Sequence, residues 1–239
     1  MSYLNRCAFV AVTAAVSVSS AAIGQTIVAG WTIPTAFPIG PGNVPTGTSY
    51  LPPGPNGAGV ANLGANFAGS QLISVHSLAA TSYISPSGNG SSHSFSSNNW
   101  SPGDYYQVTL STAGFTNLSI SWDQARNLVG PAAFRLLVST NGGASFVDLM
   151  SYTVLVSGST GPSTWIPNTY NPIYTRTVSV TDEVDLTDHV IFRFQNFEPL
   201  ASLASGSTHI DNIVVTGVPT PGAVAVLGLA GLAVGRRRR

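Results

Sequence analysis

Short runs in which apolar and polar residues alternate recur along most of the chain. Tyr106, Val108 and Leu110 share one parity, as do Leu118, Ile120 and Trp122, then Phe134, Leu136 and Val138, then Val190, Phe192 and Phe194. A period of two puts each set on one face of a strand and the intervening residues on the other. The runs are rich in β-branched and aromatic residues and end in Gly, Asn and Ser, which predicts half-buried antiparallel strands. Strands are expected over 26–33, 71–77, 93–96, 105–110, 117–122, 134–139, 145–154, 173–180, 190–196 and 209–216. No helical period intervenes. The expected fold class is all-β, an antiparallel β-sandwich of about eight to ten strands.

Turn chemistry divides the chain further. Asn141-Gly142 lies between two apolar runs, the strongest local signal for a hairpin. Seven prolines between Pro34 and Pro55 disfavour regular helix there. The expected organisation is a leader over 1–24, an irregular Gly/Pro-rich segment with the first strands over 25–90, the main part of the sandwich over 91–217, and a tail over 218–239.

Composition narrows the function classes. Of 239 residues 44% are apolar and only 8% charged, which excludes a disordered polyelectrolyte. Net charge is zero over the whole chain, but five of the nine arginines lie at its ends. Between Gln25 and Gly217 four arginines face nine acids, a net charge of −5. A nucleic-acid partner is therefore not expected, because no basic stripe is present to neutralise phosphates.

Both ends read as addresses. Arg6 is followed by an apolar run from Cys7 to Val18 and by small residues from Ser19 to Ala22, the three parts of a secretory signal helix. Cleavage is expected between Ala21 and Gln25, by signal peptidase after passage through the export machinery. Cys7 leaves with the peptide, so disulfides and thiol chemistry are not expected of the mature protein. At the other end Pro219-Thr220-Pro221 precedes an apolar run from Gly222 to Gly235 and a terminal cluster, Arg236, Arg237, Arg238 and Arg239. As a helix the run is about 21 Å long at roughly 1.5 Å per residue, short of the roughly 30 Å hydrocarbon core. It would cross only with snorkelling arginines and local thinning, the cluster staying cytoplasmic.

Over about its last 22 residues the chain resembles PEP-CTERM sorting-signal proteins: Pro-x-Pro, small-residue apolar helix, arginine run. That resemblance implies processing by an exosortase, a membrane transpeptidase-like enzyme. It also implies at least transient anchoring in the membrane and a destination at the cell envelope or extracellular matrix. More loosely, residues 90–217 are similar to the exported jelly-roll domains of such proteins. The likeness rests on Gly130-Pro131 before the Phe134 run, Phe192-Arg193-Phe194, and Ile210-Asp211-Asn212-Ile213-Val214-Val215. Ser139 to Phe146 also resembles an Asp-box, with Asn141 in the Asp position; such a box stabilises a hairpin.

Candidate chemistry is sparse. Asp211-Asn212 before the last strand is similar to the calcium-supporting or turn-forming Asp of galactose-binding-like jelly rolls; a capped turn or ladder-end hydrogen bond is the expectation, no cofactor is expected, and calcium is the alternative. Asp182, Glu183, Asp185 and Asp188 lack the spacing of an EF-hand loop and read as a solvated loop. No Gly-x-Ser-x-Gly elbow occurs, and His76, His93, His189 and His209 lack zinc spacing, each reading as a strand-edge or surface histidine. No catalysis is expected. Trp100, Tyr105, Trp165, Tyr170 and Tyr174, beside loops rich in Asn, Ser and Thr, are candidate glycan contacts. The same aromatics could equally plug the sandwich. The leading expectation is an envelope- or matrix-associated protein with a structural role. The alternatives are a carbohydrate-binding module for extracellular polysaccharide and, third, a glycan-active enzyme.

Overall fold

The computed structural model describes residues 24–36, 49–50, 59–77, 81–180 and 189–220. The expected signal helix, the C-terminal apolar helix with its arginines, Pro221, and the acids from Asp182 to Asp188 lie outside the described residues. Within them are thirteen strands, two short 3-10 helices and no α-helix. The strands are β1 (Thr26–Trp31), β2 (Ser49–Tyr50), β3 (Gln71–Val75), β4 (Tyr83–Ile84), β5 (Phe95–Asn98), β6 (Tyr105–Ser111) and β7 (Phe115–Arg126). They continue as β8 (Ala133–Ser139), β9 (Val147–Thr153), β10 (Leu155–Val156), β11 (Thr175–Ser179), β12 (His189–Asn196) and β13 (Ser207–Pro219).

They form two sheets. The seven-stranded sheet runs β10-β7-β13-β5-β4, with β1 also along β13 and β11 along β7; the six-stranded sheet runs β2-β3-β6-β12-β8-β9. Every strand pairing is antiparallel except the two-residue contact of β10 with β7. The expected β-sandwich is present, and the segment 25–90 contributes to both sheets.

The core lies where the alternating sets meet. Tyr106, Val108 and Leu110 from β6, Phe192 and Phe194 from β12, and Phe134 and Leu136 from β8 are wholly buried. Facing them are Trp122 and Ile120 from β7 and Ile210 and Val215 from β13. Trp122 meets Phe194 across the gap with ring centres 5.1 Å apart. Each such side chain stabilises the fold by roughly 1.5–3 kcal/mol. The Tyr106 hydroxyl crosses the core to accept from Ser97 N at 3.1 Å and donate to the Thr208 carbonyl at 2.8 Å. One residue of the six-stranded sheet is thus bonded to two strands of the other, and burial pushes its hydroxyl up to about 12.

β13 runs beyond the expected boundary at Gly217. Pro219 pairs opposite Phe115, and Thr220 N donates to the Gly114 carbonyl at 2.9 Å. β1 stops at the level of Gly217, so a residue without an N–H costs no ladder bond on that side.

Candidate functional site

The candidate aromatic side chains scatter instead of forming one platform. Trp100 is fully buried. Asn99 takes a positive φ of 59°, and Trp100 beside it packs against Tyr106 at 4.9 Å and Phe134 at 5.4 Å. Trp165 and Tyr174 close a second apolar cluster with Ala125, on the outer face of the seven-stranded sheet. Trp165 Nε1 donates to the Ser87 carbonyl at 2.7 Å, and the Tyr174 hydroxyl donates to Val156 and Ser163 carbonyls. These three are packing residues, not glycan contacts, because each ring is buried and each polar tip is already paired. Tyr170 is 54% exposed and bonded to Thr175 Oγ1 at 2.6 Å. Tyr105 alone of the five lies on the outer face of the six-stranded sheet, half-buried.

Asp211 of β13 is buried and serves as a hydrogen-bond acceptor. It accepts from Asn89 N (2.9 Å), from the Ser91 hydroxyl (2.5 Å) and from Asn212 N (2.8 Å). N–H and O–H donors thus take three of the roughly four acceptor positions of the carboxylate. Among the described residues no three His, Cys, Asp or Glu side chains gather. The local geometry is that of a capped turn: Asn212 has a positive φ of 46°, and its side chain reaches back to Asp123 Oδ2 at 2.8 Å. A Cβ on Gly88 would strike Ser91 Oγ and Asp211 Oδ2, so glycine is required for this close approach.

Two histidines depart from the surface reading. His209 is buried against Trp165, ring centres 4.9 Å apart. His76 lies inside the sandwich, Nε2 3.0 Å from Ser97 Oγ and Nδ1 3.1 Å from Asp104 Oδ2. The order of atoms is that of a Ser-His-Asp triad. Yet the His–Asp approach is not an aligned hydrogen bond, and Ser97 is buried with its hydroxyl on Tyr106. Asp104 instead accepts from Ser77 N and Ser101 N at 2.7 and 2.6 Å, fastening two loops to the core.

The face of the six-stranded sheet that points away from the core carries a different set. Tyr105 and Gln107 of β6, Arg193 and Gln195 of β12, and Arg135 of β8 are polar members at its centre, with Thr109 of β6, Gln71 of β3 and, toward the edge, Asp148 and Ser151 of β9 on the same side. Register places Arg193 opposite Gln107 and Gln195 opposite both Tyr105 and Arg135. Arg193 Nε and Nη2 both donate to Gln107 Oε1, at 3.1 and 2.9 Å; Arg135 Nε and Nη2 both donate to Gln195 Oε1, at 2.9 and 2.6 Å. The hairpin between β8 and β9 carries Phe146 toward β12, and the Arg193 guanidinium lies 4.0 Å from its ring centre and 3.9 Å from that of Tyr105. Two rings and one amide therefore lock one cation in place. Partial burial lowers the pKa of Arg193 from its ordinary value. Elsewhere, beside β4 and β5, a shallow cleft of about 300 Å³ is lined by Ser82, Ile84, Ser96, Ser97, Asn98, Ser205 and Ser207, with no charged or aromatic group among them.

Sequence reasoning found Tyr105 and missed Arg193, Arg135, Gln107, Gln195 and Phe146. The signal was available: once the apolar parity of β6, β8 and β12 is assigned inward, the opposite parity names four of the five.

No family model and no curated protein matches the chain. Solved structures resemble it distantly. The CBM22-1–GH10 modules of Clostridium thermocellum endo-1,4-β-D-xylanase 10B, complexed with xylohexaose, match at 12% identity and a TM-score of 0.39, over 81% of this chain and 28% of that one. A cleaved adhesin domain of Lys-gingipain from Porphyromonas gingivalis matches at 13% identity and 0.38, over 80% and 98%. A family 29 carbohydrate-binding module complexed with mannohexaose matches at 13% and 0.32, over 82% and 93%. Likeness at this level concerns the arrangement of strands and says nothing of what this chain holds.

Proposed function

We propose that this chain is an exported glycan-binding protein, held at the envelope through its C-terminus and presenting the outer face of its six-stranded sheet to extracellular polysaccharide. The observation that carries the binding role is the Tyr105–Arg193–Phe146 stack. Paired N–H donors on a planar group recognise sugar oxygens in a fixed geometry, and an aromatic ring accepts the C–H groups of a sugar on its π face. A flat sheet face suits an extended polymer.

The address rests on the terminal sequences. Export, signal-peptidase cleavage before Gln25 and recognition of the tail by an exosortase-like enzyme belong to the same proposal. The first described strand, β1, starts at Thr26, next to the expected cleavage site, and Gln25 Oε1 accepts from Thr216 Oγ1 at 3.1 Å. The runner-up reading keeps this address and gives the sandwich a structural role alone.

The deciding experiment is a polysaccharide panel probed with the full-length chain in mild detergent. Retention on at least one polymer is expected, abolished by Arg193→Ala and preserved in Arg176→Ala, whose guanidinium is bonded to the backbone carbonyls of Thr153, Ile173 and Thr175. Failure to bind any polymer, or binding indifferent to Arg193→Ala, would leave the structural reading in its place.

A further inference from the structure

Resting on the glycan-binding reading, we infer that the ligand of this face is an acidic polysaccharide, whose carboxylates dock on Arg193 and Arg135. The donor and acceptor inventory requires it. A neutral sugar hydroxyl both gives and takes a hydrogen bond, and is matched by a mixture of donors and acceptors. Here the carbonyl oxygens of Gln107 and Gln195 each receive two N–H bonds from an arginine, which fills both lone pairs. Gln195 Nε2 is a donor as well, to the Gly103 carbonyl at 3.2 Å. What remains at the centre of the face is N–H. Each guanidinium has five such groups and spends two on its glutamine, and Arg193 makes no other hydrogen bond among the described residues. A face of donors selects a ligand that only accepts, and an ionised carboxylate is that ligand.

Charge agrees with the inventory. Arg193 has no carboxylate within ion-pair distance among the described residues, while Arg135 has only Asp148, 4.0 Å away with both side chains over 40% exposed. An open pair of that length stabilises little and leaves most of the positive field unspent. The other two arginines of the body are committed: Arg126 to the Val154, Asn127, Leu128 and Gly130 carbonyls, Arg176 to those of Thr153, Ile173 and Thr175. Arg193 and Arg135 stand on neighbouring strands one step apart diagonally, since Arg193 pairs with Leu137 and Arg135 with Gln195. Such neighbours are about 7–8 Å apart, within reach of one uronate chain laid across the strands. The net negative charge of the body acts over longer range and is screened beyond about 8 Å at physiological ionic strength.

The test uses two polymers that differ in charge alone, polygalacturonate and its fully methyl-esterified form, with dextran sulfate as a generic polyanion. The expected result is retention of the full-length chain by polygalacturonate, weakened at least about tenfold by esterification and by about tenfold in Arg135→Gln and Arg193→Gln. Arg193→Lys keeps the charge but not the paired donors, and is expected to lose most of the affinity as well. Near-ultraviolet circular dichroism of each variant identifies a folding defect, and Arg135→Gln, at an exposed position, decides the matter if Arg193 variants do not fold. Equal binding of the esterified polymer, or binding to neutral glycans alone, overturns the acidic ligand and leaves glycan binding standing. Equal retention on dextran sulfate, unaffected by Arg193→Lys, reduces the face to an ion exchanger and also overturns it. Binding to no polysaccharide of any kind is the failure of the glycan reading itself.

Discussion

Asp211 stands directly opposite Asp123 where β13 pairs with β7, and amide and hydroxyl donors hold the two carboxylates together. Like charges facing one another in a ladder are unfavourable, so the donors around them carry weight. Asn89, like Asn212, donates to both. Its Nδ2 donates to Asp123 Oδ2 at 3.0 Å and to the Asn171 carbonyl at 2.9 Å; its N donates to Asp211, and its Oδ1 accepts from Asn171 N at 2.9 Å. Asn89→Ala is therefore expected to destabilise the domain by about 2–4 kcal/mol, the usual cost of stripping a partner from a buried charge. The loop over residues 157–174 should also exchange amide protons faster. Urea denaturation and hydrogen exchange read the two effects, and an unchanged loop would show that Trp165 and Tyr174 alone hold it down.

Burial under that loop drives two titrations in opposite directions. Desolvation raises Asp211 from 3.8 to about 6 and lowers His209 from 6.5 to about 4; Asp123 is raised too, chiefly by burial. Folded Asp211 binds its proton more tightly than the unfolded chain does, so its term favours the fold increasingly as pH falls from about 6 to about 4. Folded His209 resists protonation, so its term is lost as pH falls from about 6.5 to about 4. The two oppose each other across one acid window. His209→Phe keeps a ring against Trp165 and removes only the second term. Relative to wild type, the variant should gain on the order of 3 kcal/mol between pH 7 and pH 4, read from urea midpoints at each pH. A pH-independent difference would show that His209 is not held neutral by its burial.

Periodicity made the sandwich legible, because each core strand is buried on one side and the other side is chemically distinct. Phe134, Leu136 and Val138 announce β8 without help from any neighbour. The positions of Trp100, Trp165 and Tyr174 were not legible, since a loop residue carries no parity and its burial depends on what lies across from it. Trp165 lies against His209 only because the long connection before β11 folds back over the seven-stranded sheet, a tertiary event that no local pattern encodes. The outer face of the six-stranded sheet was half legible. Alternation gives Arg193 and Gln107 the same outward side, but their pairing depends on strand order, with β12 between β6 and β8.

The Asn-Gly hairpin forms as expected, and its side chains explain the Asp-box likeness in structural terms. Asn141 Oδ1 accepts from Ser145 N at 3.0 Å and from Ser139 Oγ at 2.9 Å, while Gly142 and Gly143 take positive φ of 71° and 89°. Asn141→Asp preserves both acceptor contacts and should be nearly neutral. Asn141→Ala removes them and should cost about 1 kcal/mol. Because this hairpin delivers Phe146 to Arg193, the alanine variant should also weaken polysaccharide binding by more than its small stability loss explains. Affinity unchanged in a variant that is measurably less stable would separate the hairpin from the binding face.

The proposed sorting signal adjoins the fold without a spacer. Pro219 ends β13 opposite Phe115, and Thr220 is bonded to Gly114, whereas Pro221 and Arg236 to Arg239 lie outside the described residues. A short Gly- and Ala-rich apolar run gains little transfer energy per residue, so the arginines that follow it must do more to resist translocation than they would beside a long leucine helix. Replacing all four with Ser is expected to release uncleaved protein outward. Replacing Pro219 and Pro221 with Ala should leave membrane retention intact and block processing, since a transpeptidase-like enzyme needs an extended, helix-free segment at the site of cleavage. The proline change also bears on the fold: Pro219→Ala keeps β13 paired with β7 and removes a barrier to lengthening it, which would draw the processing site further into the sheet. A six-residue Gly/Ser spacer inserted after Thr220 should then restore processing to a Pro219→Ala variant that retains Pro221. The readouts are membrane, surface and medium fractions in the native host, with the mass of each species. Wild-type distribution and mass in both the arginine and the double proline variants would reduce the tail to a plain anchor, with no enzyme reading it.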